Sequence, residues 1–131
     1  MSQENVEIVR TTMEAFNRRD FDAFLNGWDL EGELDWSRAA GPISGVFGFD
    51  EMGSFWDELF DPWESVRFEI DELIGAGERV VAQHTTYMRG RDDIEVRARV
   101  IQVWTIRGGK IVRVCLYQDE REALEAVGLS E

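Results

Sequence analysis

The chain has a single histidine, His84, in the run VVAQHTTYM, and imidazole is the side chain whose ordinary pKa lies nearest neutrality. Beside a carboxylate in a dry pocket, an imidazole can move a proton between two positions of a substrate. That is the chemistry of isomerisation, aldol-type cyclisation and dehydration. Two carboxylates are candidates for the second role, Asp35 in EGELDWS and Asp119 in LYQDERE. Each of the three also has a plainer reading. His84 alternates with Val80, Ala82, Thr86 and Met88, which equally suits a satisfied core or interface histidine. Asp35 alternates with Glu33 and Ser37, so it lies on the surface if Leu34 and Trp36 face inward. In the reverse register it would stand against an apolar wall with a raised pKa. Asp119 and Glu122 have the spacing of a helix capping box, and Gly128 stands where a glycine would stop that helix.

A pocket needs walls as well as a proton carrier. The candidates are Trp36, Trp56, Trp104 and Tyr117, with Gln102, midway along an apolar face, as a polar anchor. With five tryptophans and eight phenylalanines, the rings could simply fill a core. A pocket they lined would favour flat, apolar ligands. Other motifs fail. GPISG has its serine fourth rather than third, so it is not a nucleophile elbow. The stretch Gly45–Gly48 lacks the lysine and hydroxyl of a phosphate loop. Cys115 lies mid-strand between Val114 and Leu116 and reads as inert. One cysteine and one histidine are too few for an internal disulfide or a Cys/His zinc site, so neither metal nor cofactor is expected.

The elements that must position these residues follow from periodicity. Val6, Val9, Met13 and Phe16 recur at helical spacing. Asp20 opens a second predicted helix, in which Phe21, Phe24, Leu25 and Trp28 share one face. A short strand over 33–37 and the Gly/Pro-rich loop AAGPISGVFG come next. Asp50 is then expected to cap a third helix with the stripe Met52, Phe55, Trp56, Leu59 and Phe60, closed by Pro62. From Val66 the period becomes two. Strands are predicted over 66–74, 79–88, 95–106 and 110–118, joined by turns at Gly75–Gly77, 89–93 and Gly108-Gly109. Helices precede hairpin-linked strands, which means α+β with an antiparallel sheet. Ile101 and Val103 sit between arginines on the outer face of the third long strand, suggesting a homodimer through that face.

The chain is long enough for one domain over residues 1–131 with a real core, and 44% of it is apolar. Its net charge of −13 repels phosphate backbones and anionic headgroups, so neither nucleic acid nor membrane is an expected partner. The acids concentrate early: residues 1–62 hold 14 acids against 4 bases, the remainder 13 against 10. No apolar run approaches the ~20 residues of a membrane span, and MSQENVEIVR lacks the features of a signal peptide. A cytoplasmic location is expected.

Three stretches, ENVEIVRTTMEAFNRRDFDAFLNGWD, GPISGVFGFDEMGSFWDELF and VWTIRGGKIVRVCLYQDEREALEAVGL, resemble the SnoaL-like branch of the NTF2-like superfamily over nearly the whole chain. The resemblance implies a cystatin-like cone: N-terminal helices packed on a strongly curved antiparallel sheet, a pocket inside, and commonly a homodimer. Relatives include polyketide cyclases, ketosteroid isomerases, epoxide hydrolases and dehydratases. The isomerase pattern needs a tyrosine in the first helix, where this chain has Phe16. The epoxide hydrolase pattern needs Arg-x-Asp, where it has Arg97-Ala98-Arg99. The cyclase-type pair of His and late-strand Asp is matched by His84 and Asp119. The expectation is a domain binding a small apolar or aromatic molecule, with or without cofactor-free acid–base turnover. The alternative is a non-catalytic ligand-binding or dimerisation module.

Overall fold

The computed structural model describes residues 2–39 and 44–128. Helices α1 (Ser2–Asn17), α2 (Phe21–Asn26) and α3 (Met52–Phe60) lie against one face of a six-stranded sheet. Its strands are β1 (Trp28–Asp35), β2 (Val46–Gly48), β3 (Trp63–Ala76), β4 (Arg79–Gly90), β5 (Glu95–Arg107) and β6 (Lys110–Tyr117), in the order β2-β1-β6-β5-β4-β3. A last helix, α4 (Glu120–Ala126), lies on the opposite face. The α+β cone inferred from sequence is therefore the fold. All strand pairs are antiparallel except β1 with β6, which run parallel. Of the Gly/Pro-rich loop before β2, residues 40–43 lie outside the described residues.

Several expected boundaries shift. The strand expected over 33–37 is β1, Trp28–Asp35, and β2 forms inside the stretch expected as a loop. Two further shifts have plain local reasons. Trp28 does not extend α2; it is the first residue of β1 and pairs with Ile111. The helix stops at Gly27, whose carbonyl accepts from Ile111 N at 2.8 Å. A Cβ there would meet Thr12 Oγ1 at 2.9 Å and Ile111 Cδ1 at 3.3 Å, so only glycine fits this close approach. Asp50 does not cap α3. A 3-10 turn over Phe49–Glu51 precedes that helix, and Glu51 Oε1 reaches back to accept from Gly48 N at 2.9 Å.

Curvature comes from breaks in register. Between β3 and β4 the pairing skips Asp71, whose carboxylate is free to accept from Thr85 Oγ1 at 2.8 Å. Between β5 and β6 it skips Val112. Further breaks fall between Trp63 and Ser65 of β3 and between Trp28 and Glu33 of β1. Such irregularities bend the sheet locally and wrap it around the helices.

The concave face carries the main core. Val80, Ala82, Trp104, Ile106, Ile111 and Val114 from the long strands meet Leu34 of β1, Val6, Val9 and Met13 of α1, and Met52 and Phe55 of α3. Burying each larger apolar side chain contributes about 1.5–3 kcal/mol. The convex face has a smaller cluster in which Ala123 of α4 covers Val81, Ile101 and Val103. The last helix is latched at both ends. Asp119 Oδ1 caps its start, and Arg79 Nη1 donates to the carbonyl of Ala126 at 2.6 Å. Gln83, buried beneath it, bonds Glu120 on one side and Arg99 on the other.

Candidate functional site

Between the helices and the concave face lies a small cavity of about 40 Å³. Met13 and Phe16 reach it from α1, Phe24 from α2, and Phe55 and Leu59 from α3. The sheet side supplies Trp28, Leu34, Trp36, Phe68, Gln102, Trp104 and Val114. Alternation dictates the sheet side: Gln102 and Trp104 are two apart on β5, and their partners Ala82, Val80, Leu116 and Val114 share that face. The only polar side chain in this lining with a hydrogen-bonding amide is Gln102, whose Oε1 accepts from Trp104 Nε1 at 3.2 Å. None of the described side chains that line it is charged.

Three of the expected ligand-binding residues, Trp36, Gln102 and Trp104, thus line the cavity. Trp56 does not; it lies a layer above, with ring centroids 4.7 Å from Phe16, 5.0 Å from Phe21 and 5.2 Å from Phe24. It roofs the cavity rather than walling it. Tyr117 is on the other side of the sheet. It pairs with Ile101, packs against the convex cluster and lies under the Arg38 guanidinium, 4.8 Å from its ring centroid.

The three candidate proton carriers are not brought together. His84 faces inward from β4, 1% exposed, with the Phe68 ring 4.6 Å away and its Nδ1 without a hydrogen-bond partner among the described residues. Burial pushes its pKa from 6.5 to about 4, the Asp71 carboxylate opposing only in part, so the imidazole is neutral at pH 7. Asp35 sits on the convex face, because Leu34 beside it points into the core. There it accepts from Arg113 Nη2 at 2.5 Å, Ser37 Oγ at 2.6 Å and Ser37 N at 3.0 Å. Burial alone would raise its pKa, but those hydrogen bonds and the charges of Arg113 and Arg38 outweigh it, and the pKa is lowered. A carboxylate held ionised this way is a poor proton acceptor, so the raised pKa of the reverse register is corrected. Asp119 is the N-cap of α4, extended at φ −143° and ψ 161°, its Oδ1 accepting from Glu122 N at 2.8 Å. It introduces a helix that packs on the convex face, away from His84.

Sequence reasoning missed Trp28 as a wall, because helical spacing assigned it to α2; Gly27 immediately before it was the available signal. It also missed the convex cluster of Asp35, Arg113, Arg38 and Cys115, in which Arg38 Nη1 lies 3.2 Å from Cys115 Sγ. Arg113 and Cys115 share a face by simple alternation, but only the parallel β1–β6 pairing sets Asp35 beside Cys115.

A curved sheet with helices on its concave side and a ring-lined interior defines the SnoaL-like architecture, and the comparisons agree. The model of the SnoaL-like domain matches residues 9–114, and the chain belongs to that family. No curated protein matches the sequence. Among solved structures, the chain is similar to TerC co-crystallized with polyporic acid, at 21% identity and a TM-score of 0.78, over 95% of this chain and 98% of that one. It is similar to an NTF2-like protein of unknown function from Burkholderia pseudomallei, at 23% identity and a TM-score of 0.78, over 95% and 98%. An NTF2-like protein from Burkholderia thailandensis matches at 25% identity and a TM-score of 0.78, over 88% and 90%. No described helix is long and apolar enough to cross a membrane.

Proposed function

We propose that this SnoaL-like domain binds a small, flat, mostly apolar molecule inside the cone, and does so without acid–base turnover. The observation that carries the reading is the lining itself: among the described residues, aromatic and aliphatic side chains around one amide, Gln102, with no charged group. Such a surface rewards apolar area and offers one point of orientation. Proton-transfer catalysis needs an acid and a base within reach of one substrate. Asp35 and Asp119 are both held on the convex side, which leaves His84 alone facing inward.

The free space is little more than the share of one water molecule, roughly 30 Å³, so a ligand enters by displacing the roof. Its α2 side and its outer rings are lightly anchored, while Met52 and Phe55 hold α3 to the core. Helix α2 has no buried residue, and Trp56 and Phe60 of α3 are only half-buried. Equilibrium dialysis against naphthalene is the test. Binding is expected in the wild type and should disappear in Leu59→Trp, which fills the cavity from α3 while far-UV circular dichroism stays unchanged. No binding to the wild type, or equal binding to the variant, would sink the reading.

The domain is also proposed to pair with a second copy through the convex face. Only part of that face is open, since α4 covers Ile101 and Val103. The open part lies around Tyr87, Arg97 and Arg67, whose guanidinium stacks 4.4 Å from the Tyr87 ring.

A further inference from the structure

Near the β4–β5 turn, the convex side of β3, β4 and β5 carries its side chains in rows. Register sets Arg67, Tyr87 and Arg97 opposite one another across the three strands, with Ser65, Arg89 and Glu95 in the next row. Neighbouring strands lie about 4.8 Å apart, so each row is a short ladder on one face. With Met88 and Val96 these six residues line an open groove of about 470 Å³. Three guanidiniums against one carboxylate give the lining a charge of +2, in a chain whose net charge is −13.

The three arginines differ in how they are answered. Arg67 pairs with Glu69 at 3.3 Å, and its guanidinium stacks on the Tyr87 ring. Arg89 is 3.8 Å from Glu95 and 3.9 Å from Asp93, beyond direct hydrogen bonding. Exposed pairs of this kind hold their partners weakly and leave guanidinium donors free. Arg97 has no ion-pair or hydrogen-bond partner among the described residues, although acids outnumber bases by 27 to 14. Its neighbour Arg99, by contrast, donates to Gln83 Oε1 at 2.6 Å.

We propose that this groove binds a phosphate-type dianion, free or as the terminal group of a small ester, with Arg97 as its anchor and Arg67 and Arg89 beside it. A phosphate monoester carries about −1.5 to −2 at pH 7, which matches the lining where a single carboxylate would leave one cation unanswered. Its oxygens can accept from several guanidinium forks at once, the geometry that arginine favours over lysine. The Ser65 and Tyr87 hydroxyls add donors to the same lining. The acidic surface elsewhere does not forbid such a ligand, because exposed charges beyond about 8 Å are largely screened in physiological salt. A small ester also has room for its organic part. The volume falls within the roughly 300–1,000 Å³ of small-molecule sites, and Val96, 38% exposed, offers an apolar surface. The site is complete within one chain and does not depend on what the cone interior holds.

The test follows backbone amide shifts by NMR, at a protein concentration where sedimentation shows a single chain. At fixed ionic strength, chloride is exchanged for inorganic phosphate, phenyl phosphate or benzoate. Both phosphates should give saturable shifts centred on residues 65–67, 87–89 and 95–97, and benzoate should bind at least about tenfold more weakly. Arg97→Gln should weaken both phosphates by at least about tenfold. Arg107→Gln, at an exposed arginine paired with Glu78 outside the groove, should leave them unchanged. Phenyl phosphate binding more tightly than inorganic phosphate assigns the site to an ester, and an equal or weaker constant assigns it to free phosphate. Shifts that do not saturate, that centre elsewhere, or that persist undiminished in Arg97→Gln would overturn the proposal. Benzoate binding as tightly as phosphate would remove the need for a dianion and overturn it too.

Discussion

His84 shows how one buried side chain ties stability to pH. Its pKa is 6.5 in the unfolded chain and about 4 when folded, because burial opposes the charge more than Asp71 supports it. The unfolded state therefore binds the extra proton first as pH falls. Stability is fully present above pH 6.5 and is lost progressively down to about pH 4, by about 3 kcal/mol in all. Urea unfolding at steps across that window should show the loss in the wild type and a flatter profile in His84→Asn. Parallel profiles would mean that the imidazole is better solvated than its burial implies. Asp35 behaves in the opposite sense, its lowered pKa placing its contribution above the ordinary carboxylate range and its loss at more acid pH. The two residues therefore act in separate windows. Neither the burial of His84 nor the arginine beside Asp35 could be read from neighbours in sequence. One depends on α1 and β3 packing over β4, the other on a strand 78 positions away.

At the scale of elements, α4 is the clearest case of a legible motif whose purpose lay elsewhere. The Asp119–Glu122 spacing announced a capped helix, and the cap forms as expected. What the helix covers was not announced: Ile101 and Val103, offered from sequence as an interface with another chain, are sealed by Ala123 of their own. Asp119→Ala should cost about 0.5–2 kcal/mol in thermal unfolding and leave naphthalene affinity unchanged. An undiminished melting temperature would refute the capping role, and a loss of ligand affinity would return Asp119 to the site. Arg79, which answers the Ala126 carbonyl at the far end of the helix, had no sequence signal at all. The misassigned end of α2 has a similar origin. Helical spacing does include Trp28, but Gly27 and the parallel partner Ile111 draw the chain into β1 instead.

For the whole molecule, α4 divides the convex face into a closed half and an open half. Sedimentation should find a dimer whose dissociation constant rises at least about tenfold in Arg97→Glu, at the centre of the open half. Ile101→Asp should unfold the chain rather than separate copies, because Ile101 is 7% exposed within a single chain. A monomer in the wild type, or a folded monomer produced by Ile101→Asp, would contradict the proposed face.

By itself the sequence determined the α+β class, three helices ahead of four long strands, and the division of those strands into two sides. Those are local properties: period 3.6 against period 2, a capping spacing, a glycine pair at a hairpin. It determined too that Gln102 and Trp104 share one face of their strand, since residues two apart along a strand point to the same side. Only the tertiary structure decided which residues meet. The parallel pairing of β1 with β6 turned Asp35 outward to Arg113, and the path of α4 took Asp119 to the convex side. The closing of three helices over the bent sheet left about 40 Å³ among aromatic rings. Contacts between distant segments depend on the sum of packing choices along the whole chain, and no spacing within one segment encodes that sum.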